Sequence, residues 1–142
     1  MLDHRLALLV RQLAAELVGC HWCVEHGRHL WRQAFLSPEA LAGLHRYKED
    51  PLYTARERAA LAFTEALSRY ADAASGIPDA VLGELRRHFS EPEVAALTLA
   101  ASAEHFFNPA TGALGADARP TLADAAPATC RVAGTSAIRN LW

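Results

Sequence analysis

Residues Arg5 to Gln33 read RLALLVRQLAAELVGCHWCVEHGRHLWRQ, and the way this stretch breaks at Gly19 sets the fold class. Up to Val18, apolar residues recur at helical spacing with Arg11 and Glu16 between them, the pattern of an amphipathic helix. Glycine is the usual residue just past a helix end, so a second helix is expected to start at Cys20. Each helical residue turns about 100°, so positions three apart share a face. Cys20, Cys23, His26 and His29 therefore form one slowly winding stripe.

Helix signals continue along the chain. SPEALAGLHRY offers Ser37 as an N-cap with Pro38 in the first turn, where a missing N–H costs nothing. Thr54 and Glu57 stand at capping-box spacing at the head of TARERAALAFTEALSRYA, and Ser90 and Glu93 repeat the device before VAALTLAASAEHFF. GIPDAVLGELRRHF restarts a helix at Pro78 after a glycine break. No alternating apolar and polar run argues for a strand, and no internal repeat is present. The expected fold is all-α, about six helices with short connections, over residues 1–115. The helix from Glu91 to Phe107 is apolar on nearly every face, which suits an interface between copies of the chain. Beyond Asn108 the sequence turns rich in Ala, Pro, Thr and Gly. Residues 116–142 are expected to form an arm or tail, with Ile138, Leu141 and Trp142 suited to docking.

The chain has 142 residues, 51% hydrophobic and 21% charged, which is a single globular domain by size and composition. A net charge of -2 without a basic block gives no electrostatic support to a nucleic-acid or membrane-surface partner. The start, MLDHRLALLVRQ, lacks a cleavable signal pattern. Three cysteines are too few for a disulfide scaffold, so a cytoplasmic protein with reduced or cycling thiols is expected.

Chemically, the stripe admits three interpretations. A Cys-x-x-Cys pair at a helix N-terminus meets free N–H groups and the positive end of the helix dipole, which favour a thiolate. His26, three residues after Cys23, could take its proton, and the pair would then suit attack on a peroxide or disulfide. Alternatively, two cysteines on an apolar helix act as small hydrophobes. Zinc is the third candidate, although no second Cys-x-x-Cys or His-x-x-x-His supplies further ligands and His105 would have to come from afar. Trp22 and Trp31 are expected to fill core or interface space, His4, His45 and His88 to lie at the surface, and His105 to be a satisfied core histidine. Cys130, in the tail, is expected to be an ordinary thiol.

LLVRQLAAELVGCHWCVEHGRHLWRQA resembles the core motif of the carboxymuconolactone decarboxylase family, in its alkylhydroperoxidase AhpD-like branch. DPLYTARERAALAFTEALSR and FSEPEVAALTLAASAEHFFN resemble its later signatures, so the likeness covers roughly residues 6 to 112. The resemblance implies an all-helical domain that assembles as a trimer or hexamer. It implies a Cys-x-x-Cys dithiol that reduces hydroperoxides, with Cys23 attacking, Cys20 resolving, and a thiol reductant such as a lipoyl or thioredoxin-like protein restoring the pair. Two positions depart from the family pattern: its relay histidine falls at Gly27 and its relay glutamate at Leu8. His26 and Glu16 are the nearest substitutes that the sequence offers.

The expected protein is thus a thiol-dependent oxidoreductase acting on hydroperoxides or on a partner's disulfide, with Cys23, Cys20, His26 and Glu16 as site residues. No cofactor and no metal are expected. The alternative is a non-catalytic or decarboxylase-type relative whose helical body serves assembly or ligand binding. Cys20 and Cys23 are expected within disulfide range, at a helix start and partly accessible.

Overall fold

The computed structural model describes residues 1–70 and 76–114; Cys130 and the expected 116–142 arm lie outside them. The described residues form six α-helices and no strand: α1 His4–Val18, α2 His21–Gln33, α3 Pro38–Ala42, α4 Ala55–Ser68, α5 Asp79–His88 and α6 Glu91–Ala113. A short 3-10 turn, Leu44–Arg46, follows α3. None of these helices is long and apolar enough to cross a membrane.

Helix α1 is the central element and packs against α2, α4 and α6. Leu6, Val10 and Ala14, spaced by four, join Phe63 of α4, Leu85 of α5 and Leu97 and Ala101 of α6 in one apolar cluster. Leu8, Leu9 and Leu13 join Trp31, Tyr53 and Leu61 in a second. Burying a side chain of this size stabilises by about 1.5–3 kcal/mol, so a helix apolar on two faces is worth most where it is covered on both. That is why α1 sits inside.

The ends follow local chemistry. Asp3 caps α1 by accepting from the amides of Arg5 and Leu6. Glu57 accepts from the Thr54 amide at 2.8 Å while Thr54 Oγ1 accepts from the Glu57 amide at 3.2 Å, closing the expected capping box. At Ser90, the Glu93 carboxylate accepts from both the amide and the hydroxyl, each at 2.9 Å. Ser37 departs from expectation: its hydroxyl donates to Glu39 and caps no amide. Gly19 ends α1 in the left-handed conformation, φ 70°, which a residue with a Cβ adopts only at a cost.

Helix α6 runs further than the composition implied. It passes through Pro109 and continues to Ala113. A proline inside a helix deletes one amide donor. Here the turn is held from its sides, because Asn108 and Thr111 bond outward and inward across it. Among the described residues one face of α6 is covered: Leu97, Ala101 and Glu104 are buried, while Leu99 is 72% and Phe106 68% exposed.

Candidate active site at the α1–α2 junction

Cys20 and Cys23 are joined in a disulfide, with Cα atoms 5.2 Å apart. The left-handed Gly19 turns the chain so that the Cys20 amide still reaches Ala15 O at 3.1 Å, and Cys20 becomes the N-cap of α2. Its Sγ accepts from the Cys23 amide at 3.2 Å. One cysteine thus stands before the helix and the other one turn inside it, the spacing that a disulfide across a helix start requires.

Three elements enclose the pair. Ala15 and Val18 of α1 and Trp22 and Val24 of α2 pack around the sulfurs. From α6, Thr111 Oγ1 stands 3.7 Å from Cys20 Sγ, and Asn108 Nδ2 donates to Val18 O at 2.9 Å. Both cysteines were expected to be partly accessible. They are 2% and 4% exposed instead, because the last turn of α6 covers the junction.

The other expected site residues divide. The His26 ring stacks on Trp22, with centroids 4.9 Å apart, and among the described residues it hydrogen-bonds neither sulfur. Burial, then the Arg11 charge, then His29, lower its pKa from the ordinary value, so the ring is neutral at pH 7. Glu16 is exposed and accepts from Gln12 Nε2 at 2.9 Å. It faces a groove of about 570 Å³ walled by Arg28, Trp31, Arg32, Leu36 and Leu41. The break at Gly19 turns Glu16 away from the stripe that begins at Cys20.

Leu8 and Gly27 have clear physical roles. Leu8 is buried in the second apolar cluster, where a carboxylate would be desolvated. Gly27 lies one turn beyond Cys23, and a Cβ built there would run into Gln12 Oε1 and come within 3.3 Å of Gln12 Cδ. Gln12 is 2% exposed, and its Oε1 has no hydrogen-bond partner among the described residues. The glutamine of α1 therefore fills the space of a side chain at 27. The amide cannot simply be flipped, because Nε2 must face the Glu16 carboxylate as a donor.

Gln12, Asn108 and Thr111 escaped the sequence reading of the site. Gln12 had one signal, being a neutral polar residue set among apolar neighbours eight positions before Cys20. Asn108 and Thr111 had none, since their contacts cross about 90 residues of chain. His105 is satisfied, as expected, with Nε2 3.0 Å from Ser68 Oγ. Trp31 is fully buried and donates from Nε1 to Ser37 O at 2.9 Å. Among the described residues, no group of three or more His, Cys, Asp or Glu is placed to hold a metal ion.

No protein-family model and no curated protein matches the chain. Solved structures do. One is an Agrobacterium tumefaciens protein of unknown function, a candidate antioxidant defence protein AhpD. It is 30% identical, with 83% of this chain covering 80% of that one at a TM-score of 0.76. Two others are of the debrominase Bmp8. A cysteine-to-alanine variant holding 2,3,4-tribromopyrrole is 20% identical at a TM-score of 0.76, and the ligand-free enzyme 18% identical at 0.72. In both cases 87% of this chain covers 64% of the debrominase.

Proposed function

Because the chain belongs among the AhpD-like helical proteins, we propose that it is a thiol-dependent oxidoreductase cycling its Cys20–Cys23 pair between dithiol and disulfide. We take these proteins as the AhpD-like branch of the carboxymuconolactone decarboxylase family, and the electrophile as a hydroperoxide or a partner's disulfide. The observation that carries the function is the bonded pair at a helix start. A disulfide spanning one turn, with a backbone amide aimed at its first sulfur, is built to exchange rather than to staple. It closes so short a loop that it adds less to stability than a bridge between distant parts of the chain would.

The surrounding residues supply the rest. His26, neutral at pH 7, can receive the proton that a Cys23 thiol gives up when the disulfide closes. Glu16 acts at one remove by fixing the Gln12 amide. The exposed face of α6 serves a homo-oligomer, and a dithiol protein docks to return the electrons.

Titrating free thiols in the reduced protein before and after one equivalent of hydroperoxide tests this function. Loss of two thiols per chain, reversed by a dithiol reductant, is expected. The fold shared with a debrominase makes 2,3,4-tribromopyrrole a second electrophile to include. The burial of both sulfurs favours one rival, a non-catalytic protein whose helices serve assembly. Unchanged thiols with every electrophile would establish that rival.

A further inference from the structure

We propose that Cys20, not Cys23, carries the thiolate of the reduced pair and makes the attack, the reverse of the order that the family resemblance implies. This rests on the dithiol function above.

The two sulfurs are almost equally buried, so desolvation does not rank them. Hydrogen-bond donors do. Cys20 Sγ accepts from the Cys23 amide at 3.2 Å and sits at the head of α2, where the first turn of a helix leaves its amides without partners inside it. Amide donors and the helix dipole both stabilise a negative sulfur there. Thr111 adds a second group. Its hydroxyl lies 2.9 Å from Phe107 O, 3.1 Å from Asn108 O and 3.7 Å from Cys20 Sγ, so it can turn to donate to the sulfur when charge appears.

Around Cys23 no such donor is present among the described residues. Its own amide is spent on Cys20. One turn on, Gly27 offers no side chain, and the space is filled by an amide oxygen, which cannot stabilise an anion. His26 is stacked on Trp22. The charged groups on the packed helices are engaged elsewhere: Arg11 with Glu104 at 2.7 Å, Glu25 with Arg28 at 2.6 Å, and Glu16 with Gln12.

The chemistry then runs in two steps. Cys20 thiolate attacks the outer oxygen of a hydroperoxide, the O–O bond breaks, and the departing alkoxide takes a proton from water to leave as an alcohol. Cys20 is now a sulfenic acid. The Cys23 thiol attacks that sulfur, the S–S bond forms, the S–O bond breaks, and the thiol proton, received by His26, is handed to the departing hydroxide, which leaves as water. Two electrons have passed from the dithiol to the peroxide. A dithiol reductant returns them.

Competition labelling tests the order in the full chain. Reduced protein carrying Cys130→Ser, treated at pH 7 with substoichiometric iodoacetamide and mapped by peptide mass, should be labelled at Cys20 roughly tenfold over Cys23, the ratio for one unit of pKa difference. Preferential labelling of Cys23 overturns the proposal. In the same background, Cys23→Ser keeps the amide at 23. Its Cys20 should titrate below the free-thiol value of about 8.5 and be trapped by dimedone as a sulfenic acid after peroxide. Trapping at Cys23 in Cys20→Ser, at an equal or faster rate, also overturns it. If peroxide leaves both thiols untouched while Cys20 is the more readily alkylated, the hydroperoxide function fails and the assignment of the acidic thiol stands.

Discussion

Asn108 of α6 donates from Nδ2 to the carbonyl of Val18, 2.9 Å away, in the last turn of α1 and two residues before Cys20. The terminal carbonyls of a helix have no partners within it, and this one is satisfied from 90 positions along the chain. The same turn of α6 brings Thr111 to Cys20. The end of α6 is therefore both cap and cover for the dithiol. Asn108→Ala should cost about 1 kcal/mol, the usual net worth of one such bond, and lower the melting temperature by roughly 3–6 °C. Alkylation of the reduced pair should quicken in the same variant. A melting curve unchanged by the substitution would deny the bond its structural role.

Gly27→Ala sets two effects against each other. Alanine is favoured over glycine in a helix by about 1 kcal/mol. Against that, its methyl meets the Gln12 amide, which is buried and pinned by Glu16, and overpacking of this kind costs typically 1–3 kcal/mol. We expect net destabilisation in urea. Combining it with Gln12→Ala should recover most of the loss, giving a favourable coupling energy in the double-mutant cycle. Additive effects would mean that the two residues do not share the space.

His26 should make stability depend on pH. Its folded pKa lies below the unfolded value of about 6.5. Between the two values the unfolded chain binds more protons, so stability rises with pH there. The contribution is complete above about pH 6.5 and is lost as pH falls towards the lowered folded value. Urea denaturation at pH 7 and pH 5.5 should show a drop that is smaller in His26→Ala.

Glu93 should act in the same sense, at lower pH. Bonds from the Ser90 amide, from Arg56 and from the Ser90 hydroxyl hold its carboxyl down at about 2. Its contribution is present above the unfolded value of about 4.3 and is lost as pH falls through about 2. The gap in melting temperature between the wild type and Glu93→Gln should be steady at neutral pH and close between pH 4 and 2. A gap that persists at pH 2 would assign the effect to packing rather than charge.

The open face of α6 predicts assembly. With Leu99 72% and Phe106 68% exposed on a helix whose opposite face is buried, we expect a homo-oligomer at micromolar concentration. Phe106→Asp should shift the mass measured by light scattering towards the monomer without abolishing helicity. A wild-type monomer at that concentration would refute this.

What could be foreseen from the sequence was local. The break at Gly19, the capping box at Thr54 and the placing of Cys20 at a helix start each depend on residues within one turn, and the structure shows each of them. The features that escaped depend on how helices lie across one another. Glu16 stands four residues before Cys20 with the glycine break between them, and the sequence does not tell that the break leaves the carboxylate facing the groove of α2 and α3. The change of composition after Asn108 hides the last turn of α6, because what holds the turn around Pro109 is contact with α1 and the α1–α2 junction. The sealing of the sulfurs could not be foreseen, because the covering turn lies in that same misjudged segment.

The glutamine of α1 and the glycine of α2 also constrain which sequences are neighbours in evolution. A histidine at 27 cannot enter while Gln12 holds its place, and shortening Gln12 first leaves a hole beneath a glycine. Either first step passes through a less stable chain. Chains with a side chain at 27 and chains with Gln12 packed against Gly27 are thus separated by a stability valley, crossed only with a reserve gained elsewhere. Residue 12 should therefore vary together with residue 27 among relatives, as a pair of alternatives rather than as two independent choices.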